Sequence, residues 1–149
     1  MIQSEARARA LAYLAAHKVM TLATHGAQGP WAAAVFYVND GFDLHFVSSP
    51  TTRHCRDLTA NAAVAASVQE DYGDWREIKG IQLEGSVEEV PAAELPRIRE
   101  LYGRKFPLVA DPPEPIAAAL AKVRWYRLTA ARAYFVDNSA GFGRRNQVL

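Results

Sequence analysis

Two β-compatible runs, residues 31–38 and 42–48, are separated only by Asn39-Asp40-Gly41. An Asp-Gly pair suits the positive φ angles of a tight two-residue turn, so the two runs are expected to pair as an antiparallel hairpin. This feature constrains the fold more than any other, because it fixes one antiparallel ladder near the start of the chain.

Other strand-like runs surround it. Residues 19–25 read Val-Met-Thr-Leu-Ala-Thr-His and are closed by Gly26, Gly29 and Pro30 as a turn. Residues 62–69 and 77–90 follow, the latter with Gly80 and Gly85 as expected bulges or points of close backbone approach. Two last strands are expected over 123–129 and 132–137. Helical spacing of Leu11, Leu14 and Ala15 predicts a helix over 4–18 with Ser4 as N-cap. Shorter helices are expected over 53–58, 92–102 (kinked or shortened by Pro96) and 116–121, and an irregular connection where Pro107, Pro112, Pro113 and Pro115 cluster. The tail, with Gly141, Gly143 and Arg144-Arg145, reads as a flexible basic ending. Six or seven mostly hairpin-linked strands with helices at the start and between the late strands predict a mainly β or α+β fold, an antiparallel barrel with covering helices.

A chain of 149 residues fits one domain. Seventeen Lys and Arg face sixteen Asp and Glu, so no large field draws the protein to a nucleic-acid backbone or an acidic membrane surface. Residues 1–14 carry Glu5, Arg7 and Arg9 and read as neither a signal peptide nor a spanning helix. Cys55 is the only cysteine, which excludes an intrachain disulfide and suits the cytoplasm.

The chemistry concentrates at Ser48-Ser49-Pro50-Thr51-Thr52-Arg53-His54. Hydroxyl donors run directly into a helix start with two basic residues. Free N–H groups at a helix N-terminus, the helix dipole and a forked guanidinium together favour a phosphate. The same residues also serve as a plain Ser/Thr helix cap with solvated charges.

The order of motifs resembles the FMN-binding split-barrel family that includes pyridoxamine 5′-phosphate oxidase: a hydrophobic strand, an Asp-Gly hairpin, a strand ending in Ser, then a Ser/Thr-rich turn and a basic residue. Residues 20–23 resemble its opening strand, Gly29-Pro30 its Gly-x-Pro turn, residues 31–37 its flavin-lining strand, and Leu83-Glu84-Gly85 a later strand ending in Gly. The resemblance implies an antiparallel split β-barrel that dimerises with FMN at the subunit interface. Within it, Arg53 and His54 fall on the pair that grips the FMN phosphate, with the Thr52 hydroxyl beside them. Val47 and Ser48 fall on positions lining the flavin, and Ala33, Ala34 and Val35 on the strand whose backbone faces the ring. Gln82 becomes a candidate donor to the flavin's pyrimidine edge, against the alternative of a plain outward-facing polar residue. Trp125, Tyr126, Phe142 and Arg144 are candidates to complete a partner's site, although late-strand aromatics such as Trp125 and Tyr126 also suit core or dimer packing.

Two departures stand out. The family usually has Lys where this chain has His54, which predicts a phosphate affinity that is weaker or varies with pH. The Arg-Pro-x-x-Ser-Gln-type motif for pyridoxamine phosphate has no counterpart, and Tyr102-Gly103-Arg104-Lys105-Phe106-Pro107 stands in that region, so oxidation of pyridoxamine phosphate itself is not expected. His17, His25, His45 and His54 offer no metal spacing. Residues 84–88 lack the second Gly of a hydrolase elbow. The expectation is therefore a homodimeric FMN-binding flavoprotein that transfers electrons to or from a small molecule, with no side chain assigned as acid or base. The alternatives are a non-enzymatic flavin- or haem-binding protein and a dimer whose cofactor site has lapsed.

Overall fold

The computed structural model describes residues 4–149, so Met1 to Gln3 of the N-terminal run lie outside it. The chain runs α1 (Ser4–Ala16), β1 (Val19–Gly26), β2 (Gly29–Phe36), β3 (Val38–Asp40), β4 (Asp43–Ser48), α2 (Arg53–Ala60), β5 (Ala63–Gln69), β6 (Lys79–Glu89), α3 (Leu95–Lys105), α4 (Pro107–Ala110), α5 (Glu114–Leu120), β7 (Arg124–Asp137) and β8 (Arg145–Gln147). Short 3-10 turns cover Trp75–Glu77 and Asn138–Ala140.

All strand pairs are antiparallel, in the order β2-β1-β5-β6-β7-β4-β3, with β8 added to β7. The sheet curls into a half-barrel, an α+β split barrel. A hairpin forms here, but Asp40 pairs with Asp43, so the two turn residues are Gly41 and Phe42 rather than Asp-Gly, and Gly41 alone takes a positive φ, 61°. The run over 31–38, however, is not one strand. It breaks at Tyr37, which is fully buried, takes its backbone N–H to Lys18 O and donates its hydroxyl to Leu14 O at 2.7 Å. The break sends β2 to one end of the strand order and β3 to the other, so one extended run ties both ends together and forces the curl.

The opposite difference occurs late in the chain. The strands expected over 123–129 and 132–137 are one, β7, whose residues 124–128 pair with β4 and whose residues 126–137 pair with β6. The register shifts at Glu84/Gly85, where Gly85 lies against β7 so closely that a Cβ would sit 2.0 Å from Thr129 O. The sheet thus absorbs an extra residue without breaking.

Alternation places Met20, Leu22, Phe46, Val68, Ile81 and Leu128 on the concave face, where α1 inserts Ala10 and Leu14. Each such large side chain contributes roughly 1.5–3 kcal/mol of burial. Pro96 falls in the first turn of α3, where its missing N–H costs nothing, so the helix is shortened to begin at Leu95 and runs to Lys105. The proline-rich stretch holds the short helices α4 and α5. The tail is ordered by pairing: β8 adds to β7, Val148 is fully buried, and Arg7 Nη1 donates to Val148 O at 2.8 Å. No helix among the described residues is long and apolar enough to cross a membrane.

Candidate functional site

The corner at residues 48–54 is built where β4 ends and α2 begins. Ser49 O accepts from Thr52 N at 3.1 Å and from the Thr52 hydroxyl at 2.9 Å, which closes the turn. Thr52 then caps α2, its Oγ1 accepting from Cys55 N at 3.4 Å. The amides of Arg53 and His54, in the first turn, have no carbonyl four residues back within the helix and are left to a ligand or water. Ser49 and Thr51 hydroxyls are exposed and 2.9 Å apart.

Arg53 and His54 point to different surroundings, as neighbours on a helix must. The His54 ring is buried, with Nε2 2.7 Å from Ser48 Oγ and 3.3 Å from Thr52 Oγ1. Arg53 stays at the surface, its guanidinium carbon 4.2 Å from the centroid of the Trp31 ring and its Nη2 donating to Gln28 O at 3.3 Å. Its Nε is buried and has no hydrogen-bond partner. A guanidinium held rigidly by a ring and a carbonyl, with one buried donor unused, is prepared for an incoming oxygen.

Residues outside any motif fix α2 against the sheet. Thr24 Oγ1 donates to Asp57 Oδ2 at 2.8 Å in a buried contact, and Asp57 packs so tightly on β1 that a Cβ on Gly26 would sit 2.1 Å from Asp57 Oδ1. The available signal was a polar Thr24 on the otherwise apolar side of β1. Trp31 and Gln28, which hold Arg53, carried no motif. Beside the corner, burial pushes the Cys55 thiol up, but hydrogen bonds with His54, Thr52, Tyr126 and Ser48 outweigh it and bring the thiol down to about 7.

Ala33 and Val35 lie half-buried on β2, opposite Leu22 and Met20, while Ala34 is exposed on the other face. The outer edge of β2 pairs with no strand and runs near β4. Val47 pairs with Trp125, and Trp125 packs edge-on against Tyr102 at 5.3 Å between ring centroids. Gln82 is exposed on β6, its Oε1 3.5 Å from Arg145 Nη1, in a 320 Å³ cleft with Ala65, Glu84, Arg132 and Tyr134. Three strand steps separate β6 from β2, about 14 Å. Arg144 is exposed beyond β7, and Phe142 is 83% exposed against the Trp75 ring. The structure therefore brings Ser48, Thr52, Arg53 and His54 together at the corner, places Ala33 and Val35 on the core-facing side of β2 and Val47 beside Trp125 on β4, and sets Gln82 and Arg144 apart from the corner.

The family model described as pyridoxamine 5′-phosphate oxidase matches residues 6–137. The chain belongs to the pyridoxamine 5′-phosphate oxidase family. Within and around this family, the UPF0306 protein YhbP of Salmonella paratyphi A is 27% identical over 135 residues, covering 89% of this chain and 86% of its own. A heme binding protein from Mycobacterium smegmatis superposes with TM-score 0.73 at 21% identity, over 99% of this chain and 59% of that one. An FAD-binding protein from Mesorhizobium loti superposes with TM-score 0.68 at 18% identity, over 90% and 94%. Proteins named for heme binding and for FAD binding thus share this fold.

Proposed function

We propose that this protein binds FMN non-covalently, as a cytoplasmic homodimer, and serves as a flavin oxidoreductase for a small molecule other than pyridoxamine phosphate. The observation that supports this reading is Arg53: a permanently charged guanidinium, clamped by Trp31 and Gln28 O, with its Nε buried and unpartnered at the free N-terminus of α2. The terminal phosphate of FMN is a dianion, the group best matched by one fixed cation and a row of helix amides. Ser49 and Thr51 hydroxyls and the Arg53 and His54 amides would complete its shell. His54, turned to Ser48, braces the corner's wall rather than adding a second charge at its mouth. Ala33 to Val35 and Val47 would flank the ring, with Gln82 and Arg144 contributed from the partner chain. The flavin supplies the two-electron chemistry; this chain's residues bind and orient it.

In the haem alternative an imidazole is one side chain that would hold the iron. His17, His45 and His54 are each engaged, with Glu70, Arg127 and Ser48 respectively, which leaves exposed His25. The test is the absorbance spectrum as purified, followed by FMN titration of Arg53→Ala. A flavin spectrum and at least about a tenfold loss of FMN affinity in the variant, the scale of one charge-assisted contact, are expected. A Soret band, or unchanged affinity in Arg53→Ala, would overturn the assignment. Bleaching by NADH or NADPH then tests the reductase step.

A further inference from the structure

A second cavity, about 480 Å³, lies away from the corner, between α3, α4, α5 and the start of β7. Its walls are Val109, Pro112, Ala117 and Leu120, with Trp125 as floor. The volume falls within the range of roughly 300–1,000 Å³ typical of small-ligand sites.

The wall residues come from a segment that has apolar side chains and no core of its own. Neither α4 nor α5 buries a single residue. Pro107, Pro112, Pro113 and Pro115 restrict its backbone, and Ala110 leans on α3 at Gly103, where a Cβ would stand 3.0 Å from Ala110 Cβ. The cavity is therefore held open by stiff chain rather than filled by side chains. An apolar body entering it would cover surface that the fold leaves wet.

Two opposite charges, Glu100 and Arg99, stand at its rim. Glu100 is taken by Arg104 at 2.6 Å. Arg99 is in no ion pair formed among the described residues, and its guanidinium carbon lies 5.8 Å from the centroid of the Trp125 ring. A forked cation at the mouth of an apolar cavity matches a carboxylate bidentately.

We propose that this cavity binds a small carboxylate with an unbranched apolar body, its tail against Trp125 and Leu120 and its carboxylate on Arg99. Arg99 is no part of the phosphate corner, but Trp125, the cavity's floor, pairs across the ladder with Val47, so the test reads FMN binding separately. The test is calorimetric titration with octanoate and with octanamide, its neutral counterpart. Octanoate is expected to bind one to one. Arg99→Gln should weaken octanoate about tenfold, the scale of a charge-assisted contact, and leave octanamide unchanged. Ala117→Phe should abolish both by filling the cavity. Because Ala117 is on a helix that buries nothing, the variant should fold; should it melt early, Ala121→Trp fills the space from the other side. FMN titration of Arg99→Gln should match the parent. Absence of octanoate binding at millimolar concentration, or equal binding in Arg99→Gln and the filled variant, overturns the proposal.

Discussion

His45 sits on β4 with 1% of its surface exposed, its Nε2 accepting from Arg127 Nε at 3.0 Å. Burial first, and then the Arg127 charge, push its imidazole down to about 4 from the ordinary 6.5. The unfolded chain therefore holds a proton between those values that the folded chain refuses. Stability rises with pH across that window: the contribution is fully present above about pH 6.5 and is lost as pH falls toward 4. A shift of this size is worth roughly 3 kcal/mol. Urea unfolding at about pH 4.5 and pH 7 should show that loss, and His45→Asn, which keeps an acceptor for Arg127 but does not titrate, should remove most of it. An equal pH dependence in the variant would refute the assignment to His45. At this scale the candidate site was half legible. Residue types and order pointed to the corner, but the outward turn of Arg53 depends on Trp31 and Gln28, which come from β2 and the turn before it and leave no spacing to read.

Gly85 shows what an element requires of one position. Its missing Cβ lets β6 lie against the Thr129-Ala130 backbone where the register shifts, and Ala there would meet Thr129 O at 2.0 Å and Ala130 Cα at 2.9 Å. Gly85→Ala should cost at least about 2 kcal/mol, because backbone on both sides must move. Gly73→Ala, where nothing lies within 4 Å, is the control and should be near neutral. Denaturant midpoints of the pair decide it, and a Gly85→Ala variant as stable as the control would mean the ladder yields freely. Gly85 was readable as a close approach because glycine in a strand has few other uses. The break at Tyr37 and the continuity of β7 through Ala130-Ala131 were not, since both depend on which edge each residue pairs with. Local propensity is the same on either side of such a switch.

On the whole molecule, the convex side of β2, β1 and β5 carries Ala32, Ala34, Ala23, Ala63 and Ala65, all exposed and adjacent through the pairs Ala23 with Ala32 and Ala23 with Ala65. The sheet is thus apolar on both faces here, a pattern that from composition alone cannot be told from ordinary alternation, because alanine suits either side. Flat small-residue surface on a sheet invites another flat surface, and Phe36 at 56% and Val19 at 43% exposure extend it. The homodimer of the proposed function would close on this face, carrying Gln82 of one chain toward the corner of the other. Sedimentation equilibrium should find a dimer at micromolar concentration, and Ala65→Arg, a change that an exposed position tolerates within about 0.5 kcal/mol in the lone chain, should yield a folded monomer. If the flavin lies between chains, the same variant loses FMN affinity in parallel with the dimer. A parent protein that sediments as a monomer would refute the interface, while an Ala65→Arg monomer that keeps its FMN affinity would confine the cofactor to one chain and exclude Gln82 and Arg144 from its site.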